Sequence, residues 1–329
     1  MSDKVRYGII GTGRIVHRFM AGFEKVPEAE LVAVYGRNLE KAQKIARRYG
    51  AHYFFDSLDD FIACDEIDIV YIAVTHPHHS YFAIQAMQAG KAVLCEKPLA
   101  PCYSQAVEMV ECARKNKVFL MEAMWTRLFP VTKQVNEWID AGKIGRLVAV
   151  DGTFCFKAPR EEGDRMFDPK EAGGALLDIG VYLVSYMHML FKRPPEKIVS
   201  CAHKSEAGVD ETAGAVFQYD KGAMATLLFS FQTDAKDTVR IYGSDGMIEV
   251  YEDFWRPTRA VLSTKDGTLA FDCPVEGEGY QYEVAHVNDC VKLGLMQSPY
   301  MTQQHSLEII KTCDDLRQIW GIRFDFEKR

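Results

Sequence analysis

Val5-Arg6-Tyr7-Gly8-Ile9-Ile10-Gly11-Thr12-Gly13-Arg14-Ile15-Val16 is the stretch that decides the fold of this chain. A short apolar β run, Val5 to Ile10, meets a glycine pair and passes into a helical pattern from Arg14 to Val26. In that strand-turn-helix order the first glycine permits a tight turn. The second lets the backbone approach a pyrophosphate, which rests on amide donors at the helix N-terminus. Val16 stands where the usual spacing has a third glycine or an alanine, so the fingerprint is incomplete and its context carries the reading. Gly11, Thr12, Gly13, Arg14 and Ile15 are therefore expected to hold a dinucleotide.

Working outward, β runs and helical patterns alternate. Leu31 to Tyr35 is a strand and Leu39 to Tyr49 a charged helix; Asp68 to Val74 is a buried strand followed by a helix from Ser80 to Ala89. Ala92 to Cys95, a helix from Ser104 to Asn116 and a strand from Val118 to Met121 complete the series. This alternation predicts an α/β fold, a doubly wound parallel sheet over residues 1–122. Beyond Trp125 the period changes. A helix at Val131 to Ala141 precedes period-2 runs at Leu147–Phe156, Lys197–His203, Thr212–Tyr219, Ala223–Phe231 and Thr238–Tyr242. With turns at Asp220-Lys221-Gly222 and Ser244-Asp245-Gly246, residues 123–329 read as a second α/β domain, an antiparallel sheet with helices on one face. Helical patterns near Tyr280–Lys292 and Gln304–Trp320 close it.

A length of 329 residues suits about two domains. A net charge of −7 leaves no basic footprint for nucleic acid. The nine cysteines form no C-x-x-C pair, and their odd number and the strand-core settings of Cys64, Cys95 and Cys155 lead us to expect reduced thiols and a cytoplasmic protein. Met1-Ser2-Asp3-Lys4 leads straight into a strand, with no leader pattern and no apolar run long enough to span a bilayer. No membrane partner is expected.

The second strand ends in Tyr35-Gly36-Arg37-Asn38, with Lys41 a turn later, where an acidic residue would bind a ribose 2′-hydroxyl. A guanidinium there pairs with a 2′-phosphate, which favours NADP(H) over NAD(H); a solvent-facing loop arginine is the plainer alternative. Thr75-His76-Pro77-His78-His79 follows the strand that ends at Val74. No local acid or cysteine accompanies these histidines, so no metal is expected. His76 or His79 would hydrogen-bond the nicotinamide ribose, unless they are surface histidines at a helix start. Ala92-Val93-Leu94-Cys95 runs into Glu96-Lys97-Pro98, which aims a lysine from a strand's carboxyl end, where open parallel sheets bind ligands. Alone, Lys97 would be an ordinary exposed strand end. Asp178 and Tyr182 stand four residues apart on a helical pattern that Gly173-Gly174 opens. Near a lysine they form a proton-transfer set, because an ammonium favours the phenolate; without it they read as a capping acid and a core tyrosine.

Gly11-x-Gly13, Glu96-Lys97-Pro98, Glu122-Ala123-x-Trp125-Thr126-Arg127 and Asp178-x-Gly180-x-Tyr182, in this order, resemble the Gfo/Idh/MocA oxidoreductases over essentially the whole chain. His76-Pro77-x-His79, Met124-Trp125-Thr126-Arg127 and Tyr182 are most similar to the branch of dimeric dihydrodiol dehydrogenases and NADP-linked xylose dehydrogenases. The resemblance implies a Rossmann domain joined to an α/β domain on a large, mostly antiparallel sheet whose open face makes a homodimer. It implies a cis peptide between Lys97 and Pro98. It adds Thr75, Glu96, Trp125 and Arg127 to the cofactor site, with Glu96 on cofactor or on neighbouring backbone. Many sugar dehydrogenases of the family carry histidine at the position of Tyr182 and aspartate at that of Ser185, so a tyrosine takes the histidine's place here. The expected reaction is NADP(H)-dependent oxidation of a secondary alcohol of a sugar, polyol or trans-dihydrodiol. Tyr182 removes the hydroxyl proton, Lys97 stabilises the charge, Asp178 orients the pair, and Trp125 with Phe154 or Phe156 walls the substrate ring. The alternatives are a non-catalytic NADP-sensing protein and a sugar-sugar oxidoreductase that retains its cofactor.

Overall fold

The first strand, β1 (Val5–Ile10), and the helix behind the glycine turn, α1 (Arg14–Phe23), begin a series that continues through β2 (Ala29–Tyr35), α2 (Leu39–Tyr49), β3 (Tyr53–Phe55) and α3 (Leu58–Ile62). It proceeds with β4 (Ile69–Ile72), α4 (His79–Gln88), β5 (Ala92–Glu96), α5 (Tyr103–Asn116) and β6 (Leu120–Ala123). The computed structural model describes residues 4–160, 164–251 and 253–327; Met1-Ser2-Asp3 of the expected N-terminus lies outside them. The six strands pair in parallel in the order β3-β2-β1-β4-β5-β6. Residues of β1, β4 and β5 such as Ile9, Tyr71 and Leu94 are fully buried, as a sheet covered on both faces demands. Strand order reverses between β1 and β4, the point at which doubly wound sheets bind ligands.

The second half contains α6 (Pro130–Asp140), β7 (Leu147–Cys155), α7 (Val181–Phe191), β8 (Lys197–Lys204), β9 (Asp210–Gln218), β10 (Met224–Ser230), β11 (Val239–Gly243), β12 (Gly246–Val250), β13 (Arg259–Thr264) and β14 (Gly267–Asp272). They build one eight-stranded sheet in the order β14-β13-β12-β11-β7-β10-β9-β8. The sheet is antiparallel except for the parallel pair β7 and β10. One face is dry: Val150, Phe217, Leu227, Phe229, Ile241 and Ile248 are buried, and α7 lies in the core with Leu183 and Met187 close to Gly152. On the other face Val199, Met224 and Leu228 are exposed. The turns expected at Asp220-Lys221-Gly222 and Ser244-Asp245-Gly246 join β9 to β10 and β11 to β12.

Two helices close the chain, α8 (Gln281–Lys292) and α9 (Gln303–Trp320). The residues group into two units, Met1–Trp125 with Glu276–Leu307, and Thr126–Val275 with Glu308–Arg329. The segment 276–307, expected with the second domain, packs with the first. A Cβ on Gly22 of α1 would lie 2.6 Å from the amide nitrogen of Gln281, and the Tyr7 hydroxyl of β1 donates to Asn288 Oδ1 of α8 at 2.9 Å. Helical periodicity reveals that α8 exists and which residues are apolar, but not which core they cover. A second correction concerns Pro169–Phe191, 23 residues whose most apolar 18-residue window has a mean hydropathy of 1.4, enough by length and composition to cross a membrane. It is a core helix instead, with 83% of its most apolar window buried inside the protein.

Candidate active site

In the first unit, the turn after β1 has the shape of a phosphate cradle. Gly11 adopts φ +127, and a Cβ built on it would lie 2.3 Å from the Ala73 carbonyl oxygen, so only glycine lets β1 leave the sheet this close to the end of β4. A Cβ on Gly13 meets nothing within 4 Å, which leaves the space before the first amides of α1 open. Thr12 and Ile15 are half-buried, while Gly13 and Arg14 are exposed. Val16, at the incomplete third position, is fully buried, and the close glycine contact of α1 falls at Gly22. Arg37 and Lys41 are exposed at the carboxyl end of β2, where the Asn38 side chain caps α2 by accepting from the Lys41 amide at 2.9 Å. An open loop of amides at the switch point, with basic side chains beyond β2, fits a dinucleotide.

The next strand ends supply Thr75, His76, His79, Glu96, Lys97 and Trp125. Thr75 is half-buried at the start of a short 3-10 turn, and His76 is buried with its ring 5.7 Å from that of His79. His79 is fully buried; Nδ1 lies 2.8 Å from the Pro98 carbonyl oxygen and Nε2 3.1 Å from that of Val74. The ring thus sits between the end of β4 and the turn after β5, and its N–H ties it to one of these carbonyls. Lys97 is half-buried, and the peptide to Pro98 is cis, as the resemblance implied. Glu96 turns inward and takes the neighbouring-backbone role: Oε1 accepts from the Tyr71 hydroxyl at 2.5 Å and Oε2 from the Lys97 amide at 3.2 Å. Burial pushes its carboxyl up, against the opposing pull of the Tyr71 hydrogen bond and the Lys97 charge. Trp125 is buried and stacks on Tyr280 at 4.2 Å, a partner that sequence reasoning missed because it lies far along the chain.

In the second unit, Asp178 lies in a π-helical turn, Leu176–Gly180, that leads into α7 and Tyr182. Such wide turns inside helices are frequent at functional sites. Asp178 pairs with Arg165 at 3.2 Å, another residue not anticipated. The Tyr182 ring lies 5.7 Å from Phe154, which runs parallel to Trp255 at 5.8 Å and meets Phe254 edge-on. Phe154 is thus the aromatic beside Tyr182, whereas Phe156 packs on Phe231. Trp255 was not anticipated, although the aromatic pair Phe254-Trp255 is a signal that could have found it. Arg127 is buried, donating from Nε to the Ser185 hydroxyl at 2.9 Å and from Nη2 to the Ser185 carbonyl at 2.8 Å. Arg127 therefore fastens α7, the helix that carries Tyr182, through Ser185.

That helix is held from the other side by Asp210, whose Oδ2 accepts the Leu176 amide at 2.7 Å. Burial pushes the Asp210 carboxyl up to about 6 from 3.8. A carboxyl raised on folding stabilises fully below its unfolded value and loses that contribution as pH rises through its folded value. Between pH 4 and 7 this amounts to up to about 3 kcal/mol for such a shift. Urea titrations of the Asp210→Asn variant should therefore show a shallower fall of stability across that range than the parent protein. Parallel pH profiles would show that Asp210 does not titrate there.

A glycine cradle at the switch point of a parallel six-stranded sheet, with a strand-end lysine, defines a dinucleotide-binding protein of the Rossmann class. Residues 5–124 match the model of the oxidoreductase family with an NAD-binding Rossmann fold, and residues 132–249 match the GFO/IDH/MocA C-terminal domain. The chain belongs to the Gfo/Idh/MocA oxidoreductase family. It is 32% identical to trans-1,2-dihydrobenzene-1,2-diol dehydrogenase of Mus musculus, over 99% of this chain and 99% of that protein. The enzyme of the same name from Homo sapiens is 31% identical, again over 99% of each. Among solved structures, a 3-ketoreductase from Actinomadura kijaniata, crystallised with NADP and TDP-benzene, superposes with a TM-score of 0.84 at 26% identity. That match covers 96% of this chain and 97% of the ketoreductase. The present chain is an oxidoreductase with an NAD(P)-binding Rossmann fold.

Proposed function

We propose that this enzyme is an NADP(H)-dependent dehydrogenase for a secondary alcohol of a trans-dihydrodiol or of a cyclic sugar or polyol. What carries the reading is the extent of the similarity to dihydrodiol dehydrogenases, which spans the glycine cradle and Lys97 as well as Asp178 and Tyr182. The turn from Gly11 to Ile15 holds the pyrophosphate and Arg37, with Lys41, the 2′-phosphate. When bound, the nicotinamide supplies or takes the hydride. Tyr182 accepts the hydroxyl proton, and Lys97 lowers the cost of negative charge on the substrate oxygen. Asp178, paired with Arg165, orients the helix turn beneath Tyr182, and Phe154 offers a ring-sized apolar wall.

Arg37 decides the cofactor in this account. An Arg37→Asp enzyme should bind NADPH at least about tenfold more weakly and gain affinity for NADH, since the carboxylate repels a phosphate and accepts from a ribose hydroxyl. Fluorescence titration with both cofactors measures it, and an unchanged ratio would remove Arg37 from the site. The substrate class is tested by initial rates with NADP and NAD on trans-dihydrodiols, pentoses, hexoses and inositols. NADPH binding with no substrate oxidised would favour an NADP-sensing protein instead.

We further propose a homodimer made by the open face of the eight-stranded sheet and, from the cysteine pattern, a cytoplasmic location. The exposed Val199, Met224 and Leu228 support the dimer, because an apolar sheet face of this kind marks an interface. Sedimentation of the Leu228→Lys variant as a monomer would agree with it.

A further inference from the structure

Three backbone groups follow one another past the end of β5, where the strand ladder no longer reaches them: the Lys97 amide, the Pro98 carbonyl and the Leu99 amide. Buried backbone groups must find partners, and each of these meets a buried ionisable side chain. The Lys97 amide donates to Glu96, the Pro98 carbonyl faces His79, and the Leu99 amide donates to Glu122 Oε1 at 3.0 Å. Glu122 comes from β6, where it stands opposite Cys95 in the parallel register, and is 2% exposed. Burying an acid is costly unless it is hydrogen-bonded, so a glutamate at this point indicates that its oxygen is kept as the acceptor that the Leu99 amide needs. Glu96 is in turn fixed by Tyr71 of β4, a fully buried ring stacked on Phe19 at 3.7 Å. Neither Tyr71 nor Glu122 has a part in the chemistry described above.

We propose that Glu122 and Tyr71 are positioning residues for Lys97: Glu122 clamps the turn through the Leu99 amide, and Tyr71 locks the Glu96 carboxylate that holds the Lys97 amide. The consequence for rate rests on the assignment of Lys97 to the reaction. The clamp itself is a property of the turn and can be read without any turnover.

Two measurements on the full-length protein test this. Hydrogen exchange at the Leu99 amide should accelerate about 10- to 100-fold in Glu122→Leu, the loss expected when a buried amide is left without its acceptor, and stay near the parent rate in Glu122→Gln, which keeps an acceptor oxygen. In the same samples kcat should fall at least about tenfold in Glu122→Leu and in Tyr71→Phe, with NADPH affinity within about threefold, because a small displacement of a catalytic group costs rate more than binding. Glu122→Gln should recover most of kcat. Unchanged Leu99 exchange in Glu122→Leu, or a kcat near the parent value in both Glu122→Leu and Tyr71→Phe, overturns the proposal. A Glu122→Gln enzyme as slow as Glu122→Leu also overturns it, since the acceptor would then not be what matters. Normal turnover by Lys97→Met, with Leu99 exchange still accelerated in Glu122→Leu, would instead defeat the assignment of Lys97 and leave the clamp standing.

Discussion

The Lys97→Met enzyme should turn over about a thousandfold more slowly than the parent, the scale of removing a preorganised charge that also supports proton transfer. Its NADPH affinity should remain measurable and its fold intact. Methionine keeps the length and apolar stem of lysine, and β5 beneath it, with Val93, Leu94 and Cys95 fully buried, does not depend on the ammonium. The Lys97 backbone amide, which Glu96 accepts, is also preserved. Loss of rate would then belong to the missing charge and not to a disturbed turn. Single-turnover measurements separate this from slow product release: the hydride step itself should be slow. A variant with near-parent turnover would mean that Lys97 is only an exposed end to a buried strand.

A second large effect is expected at Gly11. Alanine there must adopt φ +127 and place its Cβ 2.3 Å from the Ala73 carbonyl oxygen and 2.8 Å from the carbonyl carbon, both backbone atoms that cannot swing aside. Strain of this kind costs about 1–3 kcal/mol before any displacement of β1 from β4. The apoprotein of Gly11→Ala should be less stable in urea, and NADPH binding should weaken at least about tenfold because the amides of the turn move. Gly13→Ala supplies the contrast. Its Cβ meets no protein atom within 4 Å, so the apoprotein should keep its stability while the methyl occupies the space meant for phosphate. Equal losses of stability in the two variants would show that the open space at Gly13 is not a cradle.

The first sheet is legible in the sequence because its strands are short apolar runs separated by amphipathic helices, a pattern that few other folds produce. Tyr53-Phe54-Phe55 escaped because a three-residue edge strand is too short to show a period. In the second sheet β12, β13 and β14 went unread, although Asp266-Gly267, where β14 begins, is a hairpin signal present in the sequence. Lys97, Asp178 and Tyr182, the residues proposed to carry the chemistry, stood out through motif order; the groups around them did not. Tyr280 beneath Trp125 is contributed by chain more than a hundred residues away, and the π turn under Asp178 is a matter of hydrogen-bond pattern that composition does not encode. At His79 and Arg127 the polar head was legible in the sequence but not the burial, nor the neighbours Pro98 and Ser185 that each one meets.

The central claim is that Lys97 and Tyr182 serve one proton-transfer event, and a double-variant cycle tests it most directly. Turnover is measured for the parent, Lys97→Met, Tyr182→Phe and the double variant with the best substrate from the rate screen. Groups that act as a unit lose little more when the second is removed, so the double variant should be about as slow as the slower single one. Losses that multiply would contradict the account, because they would assign the two residues to separate steps.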